Sequence, residues 1–134
     1  MSILSIRLAL ENALNAVLPV LATARENVTF IPVSGTPYQI VHLMLARPSN
    51  REFGARHQER GYLQVRLAYP QLAGTAAIAA RAELLRATFQ RGNTFESGGV
   101  TTMITETPEV SAGTVEGDRF AVTVKIPFTA DINS

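Results

Sequence analysis

The stretch Arg119-Phe120-Ala121-Val122-Thr123-Val124-Lys125-Ile126-Pro127-Phe128 carries the clearest structural signal in the chain. Phe120, Val122, Val124, Ile126 and Phe128 alternate with Arg119, Thr123 and Lys125. Successive side chains of a strand point to opposite faces, so this period of two predicts a strand over residues 118–128 with one face in a core. Residues 62–69 repeat the pattern, with Leu63, Val65, Leu67 and Tyr69 on one face and Gln64 and Arg66 on the other. Residues 38–46 read as a third strand. Tyr38, Ile40, Val41, Leu43, Met44 and Leu45 make it apolar on both faces, which predicts a central strand covered on each side. Residues 100–107 read as the fourth. Val28, Thr29 and Phe30 suggest a short edge strand.

Two segments have helical spacing instead. Ile6, Leu10, Leu14 and Val17 form one stripe of a helix over 3–18, with Ser2 as its cap and Pro19 at its end. Ile78, Ala82, Leu85 and Phe89 do the same over 75–90, with Thr75 as N-cap and Gly92 at the C-terminal side. The alanines at 76, 77, 79, 80 and 82 favour helix and permit close approach of another backbone. The residues between these elements, 19–37, 47–61 and 108–117, read as loops. The order is α-β-β-α-β-β. Two hairpins joined by a crossover helix predict an α+β fold, a four-stranded sheet with two helices packed on it.

The 134 residues suit one domain, 1–134, large enough for a real core. There is no cysteine, which excludes disulfides and thiolate metal sites. No apolar run approaches the roughly 20 residues of a membrane helix, and Arg7 interrupts the first apolar stretch, against a signal peptide. A net charge of +1 gives little general pull on nucleic acid or lipid. Eleven of the 12 basic residues are Arg, and Lys125 is the only Lys. Arg is favoured at interfaces, where its planar fork makes bidentate contacts; a GC-rich coding sequence gives the same bias.

Catalytic chemistry is sparse. His42 lies within an apolar strand, where a hydrogen-bonded structural role fits, and His57 lies in a charged loop. Two histidines on separate elements make a weak metal site. No phosphate-cradling turn or nucleophile elbow is present. Glu106 and Glu109 flank one turn and Glu116 and Asp118 another, each pair reading as solvated loop charge. A small α+β enzyme or ligand-binding module remains as an alternative, with a pocket near His42 lined by Tyr38 and Arg66.

The connection 47–61 holds more promise. Arg47, Arg51, Arg56 and Arg60 surround Phe53, with His57 close by. An aromatic flanked by Arg has the composition of an interface hot spot; a loop with a locally buried Phe is the plainer alternative. Glu52 and Glu59 offset the charge, which favours protein contact over phosphate contact.

Ordered along the chain are Ile6-Arg7-x-Ala9-Leu10-Glu11, Glu26-Asn27-x-x-Phe30-x-Pro32, Gly35-Thr36-Pro37-Tyr38, Gly61-Tyr62-Leu63-Gln64-Val65, Tyr69-Pro70, Phe89-Gln90-Arg91-Gly92, Thr107-Pro108 and Ile126-Pro127-Phe128. Over nearly its whole length the sequence resembles the phage tail terminator-like proteins, a phage-related group of minor tail proteins. It departs from them at Arg25, where members often carry an aromatic. The resemblance implies a ring, typically hexameric, that caps the last tier of a tail tube, ends its polymerisation and offers a surface to the head connector or neck. It implies a virion-tail component assembled in the bacterial host cytoplasm, with contacts to itself, the tube protein and the neck. Nucleic acid is expected only as DNA passing through the ring. It brings no cofactor and no catalytic residues. Glu26 and Asn27 are expected to fix the loop before the sheet by hydrogen bonds to backbone.

Overall fold

The computed structural model describes residues 2–17, 21–26, 28, 30–31, 35–50, 57–70 and 75–132. The elements are α1 (Ser2–Asn15), β1 (Ala22–Ala24), β2 (Tyr38–Leu45), β3 (His57–Pro70), α2 (Ala76–Thr88), β4 (Thr94–Ser97), β5 (Val100–Ile104), β6 (Glu109–Val110), β7 (Thr114–Glu116) and β8 (Arg119–Ile132).

The fold is β-rich, and this corrects the expected four-stranded α+β sheet. One mixed, curled sheet of eight strands, a half-barrel, runs in the order β1-β2-β3-β8-β5-β4, with β6 and β7 also paired to β8. The four expected strands are β2, β3, β5 and β8. The four that were missed are short, and each takes its hydrogen bonds from a longer neighbour. β1 pairs parallel to β2, while β6 and β7 pair antiparallel to successive parts of β8. The expected edge strand at 28–30 is not one. Val28 and Phe30 lie outside any strand, and Thr29 lies outside the described residues.

The spine is the antiparallel ladder of β3 and β8, running from His57↔Ile132 to Pro70↔Arg119. It places Leu63, Val65 and Leu67 opposite Ile126, Val124 and Val122, and all six are buried. Both helices cover this face. Ile6, Leu10 and Leu14 of α1 and Ile78, Ala82 and Leu85 of α2 join the strands in one core, together with Phe89. Such a stripe removes apolar surface from water at roughly 25 cal/mol per Å².

Among the described residues, no helix lies on the opposite sheet face. β2 is therefore not covered on both sides as its sequence suggested. Gln39, Val41 and Leu43 point into the core, Ile40 and His42 are half-buried, and Met44 is 44% exposed. The helix ends differ in detail as well. Ser2 lies within the first turn of α1, and Thr75 precedes α2 without a side-chain capping bond. Pro19 lies outside the described residues. Gly92 is not the helix cap. It follows Phe89, and its N–H bonds the Ile104 carbonyl at 2.8 Å, which ties the end of α2 to β5.

Candidate interaction surfaces

The connection between β2 and β3 is shorter than its sequence suggested. β3 begins at His57, and the pairing reaches outward through a bridge between Ser49 and Gln58. Arg60 is thus a strand residue. Its side chain is exposed, and its Nε donates to the Arg47 carbonyl at 2.9 Å. Arg47 is exposed beside it. His57 is half-buried, with Nε2 3.0 Å from the Glu59 carboxylate. The structure therefore brings Arg47, His57 and Arg60 to one end of the β2–β3 hairpin. Arg51, Phe53 and Arg56 lie outside the described residues.

A groove of about 340 Å³ opens at the other end of the hairpin, lined by Tyr38, Ile40, Arg66, Ala68, Glu116, Asp118 and Arg119. Two of the three residues expected around a pocket, Tyr38 and Arg66, are in its lining; His42 is not. Arg66 grips Glu116 through two N–H groups and donates Nη1 to the Thr123 hydroxyl at 3.0 Å. Arg119 donates to the Thr36 carbonyl, stacks 5.0 Å over the Tyr38 ring, and stands 3.9 Å from Asp118. The sequence reading left Glu116 and Asp118 as loop charges. Their signal was the pair of charged residues on each side of Gly117, which with Asp118 forms the two-residue turn between β7 and β8.

Glu26 acts as the sequence predicted, on backbone. It accepts a hydrogen bond from the Leu43 N–H at 2.5 Å and faces Arg7 at 3.4 Å. Arg7 also meets Glu11 at 3.4 Å, and Glu11 meets Arg25 at 3.0 Å. Burial pushes the Glu26 pKa up. The Leu43 bond, the Arg7 bond and the nearby positive charge outweigh that, so the carboxyl sits below its ordinary 4.5. His42 is one source of that charge. Asn27 lies outside the described residues.

On α2, the stripe of Ile78, Ala82 and Leu85 packs inward, together with the unforeseen Arg81. Burial lowers the Arg81 pKa, and the neighbouring Tyr69 opposes this. Ala76, Ala77, Ala79 and Ala80 face outward, with Leu84 44% exposed. Among the described residues, no group of three or more His, Asp or Glu side chains is placed to hold a metal ion, and no helix is long and apolar enough to cross a membrane.

These features define a small β-rich domain, with helices on one sheet face and charged groups gathered at both ends of its central hairpin. The chain belongs to the phage tail terminator protein family, whose model matches residues 5–128. It is therefore a component of phage tail assembly. A solved structure of a protein without a functional description superposes with a TM-score of 0.81, at 24% identity, over 100% of this chain and 99% of its own. That likeness is one of fold. No curated protein sequence matches the chain.

Proposed function

We propose that this protein is a non-enzymatic ring subunit that closes the end of a phage tail tube. The ring, a hexamer, stops tube polymerisation and presents a surface to the head connector or neck. Assembly takes place in the cytoplasm of the bacterial host, and DNA passes through the ring. The observation that carries this reading is the match to the terminator family across almost the whole chain.

The exposed surfaces of the domain suit the role. A cyclic ring uses heterologous contacts, in which two different patches meet on neighbouring copies. The end formed by Arg47, His57 and Arg60, with Arg51, Phe53 and Arg56 in the connection, supplies one such patch. The outward alanines of α2 suit a close approach to the tube or to a neighbour.

Among the described residues, the groove beside Tyr38 and Arg66 favours a ligand-binding module. Its two guanidinium groups already hold carboxylates or a carbonyl, and His42 lies away from it. Assembly contact is the better use of such a surface.

Electron microscopy of tail tubes made with and without the protein tests the proposal. Tubes made with it should end in added density and have a narrow length distribution. Tubes of unchanged length and bare ends would refute it.

A further inference from the structure

The register of β2 with β3 runs without a bulge from Tyr38 to Leu45 and continues into a bond from the Ala46 N–H to the Arg60 carbonyl at 2.8 Å. In an antiparallel pair, the N–H and C=O of one residue point to the same side, and successive residues alternate. His42, Met44 and Ala46 therefore direct their backbone groups at β3. Val41, Leu43 and Leu45 direct theirs at the opposite edge. β1 covers that edge only from Tyr38 to Ile40. Among the described residues, no strand pairs with it over Leu43, Met44 and Leu45.

The composition of this run suits strand addition. Ile40-Val41-His42-Leu43-Met44-Leu45 contains no Pro, Gly, Asp, Glu, Lys or Arg. Short segments of high β-propensity and low charge pair readily with identical copies when an edge is open. Met44 and Leu45 are exposed at its end. Natural sheets blunt such edges with charges, Pro, bulges or a covering segment. The residues of the run itself supply none of these.

Glu26 supplies what the run lacks. Its carboxylate accepts the Leu43 N–H at 2.5 Å, the place that a carbonyl of an added strand would take. Arg7 of α1 faces that carboxylate at 3.4 Å. Arg7 and Arg25 both meet Glu11, so the segment that carries Glu26 is fastened to α1 from two sides. We propose that Glu26 is an edge plug: its carboxylate fills the position of an added strand and keeps β2 from pairing with β2 of a second copy. An ionised carboxylate has no proton to offer, so an incoming carbonyl finds an acceptor where it needs a donor. With the plug removed, the occupant of the edge is a second copy of this chain. The two edges meet antiparallel about a twofold axis at Leu43, where each Leu43 N–H reaches the other's carbonyl and Leu45 lies opposite Val41. That contact is isologous and closes on itself, unlike the heterologous contacts of a ring. The inference does not depend on the ring reading.

Light scattering below the concentration at which the wild-type protein assembles tests it. Glu26→Ala should form dimers, with the concentration for half-association lowered at least about tenfold. Glu26→Gln keeps an acceptor oxygen at the same reach and should remain monomeric. Leu45→Lys added to Glu26→Ala puts a charge on the edge and should restore the monomer. The chain has no cysteine, so Met44→Cys provides a single thiol. A short bis-maleimide should join copies through it in the Glu26→Ala chain and not in the chain with Glu26. Circular dichroism melts identify the variants that keep the fold. Where Glu26→Ala does not fold, Glu26→Asp takes its place: it keeps the charge facing Arg7 and falls one methylene short of Leu43.

A folded plug variant that stays monomeric overturns the inference. So does association that Leu45→Lys does not reverse or that gives no link through Met44→Cys, since the copies then meet by another surface. Copies with Glu26 in place that link through Met44→Cys would show an edge already open, and overturn it as well.

Discussion

Glu26 shows how one side chain can hold a sheet edge in place. β1 pairs only with Tyr38, Gln39 and Ile40, so β2 runs on past the end of its parallel neighbour. An exposed strand edge presents unpaired N–H groups, and proteins tend to cover them. Glu26 takes the Leu43 N–H, and the chain Arg25–Glu11–Arg7 ties that carboxylate to α1. Because the folded pKa is lowered, the stability from this group is present above the ordinary carboxylate value of 4.5 and is lost as pH falls through the folded value. Glu26→Gln should lower stability at neutral pH by about 1–2 kcal/mol, the scale of a hydrogen bond to a charged group. The deficit should shrink as pH falls through the folded value, where the wild-type carboxyl becomes protonated too. Urea midpoints across a pH series check this, and a deficit independent of pH would refute the electrostatic account. Glu26 was legible because a Glu-Asn pair before a strand is a local pattern. The groove was not. Arg66 and Glu116 meet across 50 residues of sequence, and no local spacing records that.

The elements divide by whether they carry their own pattern. β3 alternates from Leu63 to Tyr69 and β8 from Phe120 to Phe128, and α1 and α2 have apolar stripes, so their sequences announce them. β1 is Ala22-Thr23-Ala24, which has no apolar face to recognise. The side-chain amide of the buried Gln39 secures it to β2 by donating to the Thr23 hydroxyl at 3.1 Å. β6 has two residues and β7 three, too few for any period. β4 had a signal that went unread. Ser97 pairs with Val100, so Gly98-Gly99 is a two-residue hairpin turn, with φ of 57° and 80°. Turns with positive φ at both central residues match the twist of paired strands and call for Gly or Asn. A Cβ at Gly99 would meet no atom within 4 Å, so substitutions there test backbone strain free of clash. Gly99→Val should cost about 1–2 kcal/mol and Gly99→Asn clearly less, since Asn tolerates the left-handed region. Thermal melts would show it, and equal losses for Val and Asn would refute it. At Gly61 the limit is space. A Cβ there would collide with the Met44 carbonyl oxygen, where β2 and β3 approach closely. Gly61→Ala should cost about 1–3 kcal/mol, the range for forced overpacking.

At the scale of the whole molecule, the sheet is organised around one ladder whose strands are distant in sequence. β3 and β8 pair along their full lengths, yet α2 and the four strands β4 to β7 lie between them in the chain. Closing so long a loop costs entropy before the contacts form, so the topology favours slow folding. Once formed, the ladder is shielded by both helices on one face and flanked by a strand on each side. β7 at the rim has no such cover: all three of its residues are exposed, with Val115 at 59%. Stability within a protein runs from near zero at poorly packed edges to the global value in core strands. Amide hydrogen exchange should therefore be slowest at Leu63, Val65, Val124 and Ile126, at the rate set by global unfolding, and faster by orders of magnitude in β1 and β7. β1 and β7 amides that exchange as slowly as those of the β3–β8 spine would refute this gradient.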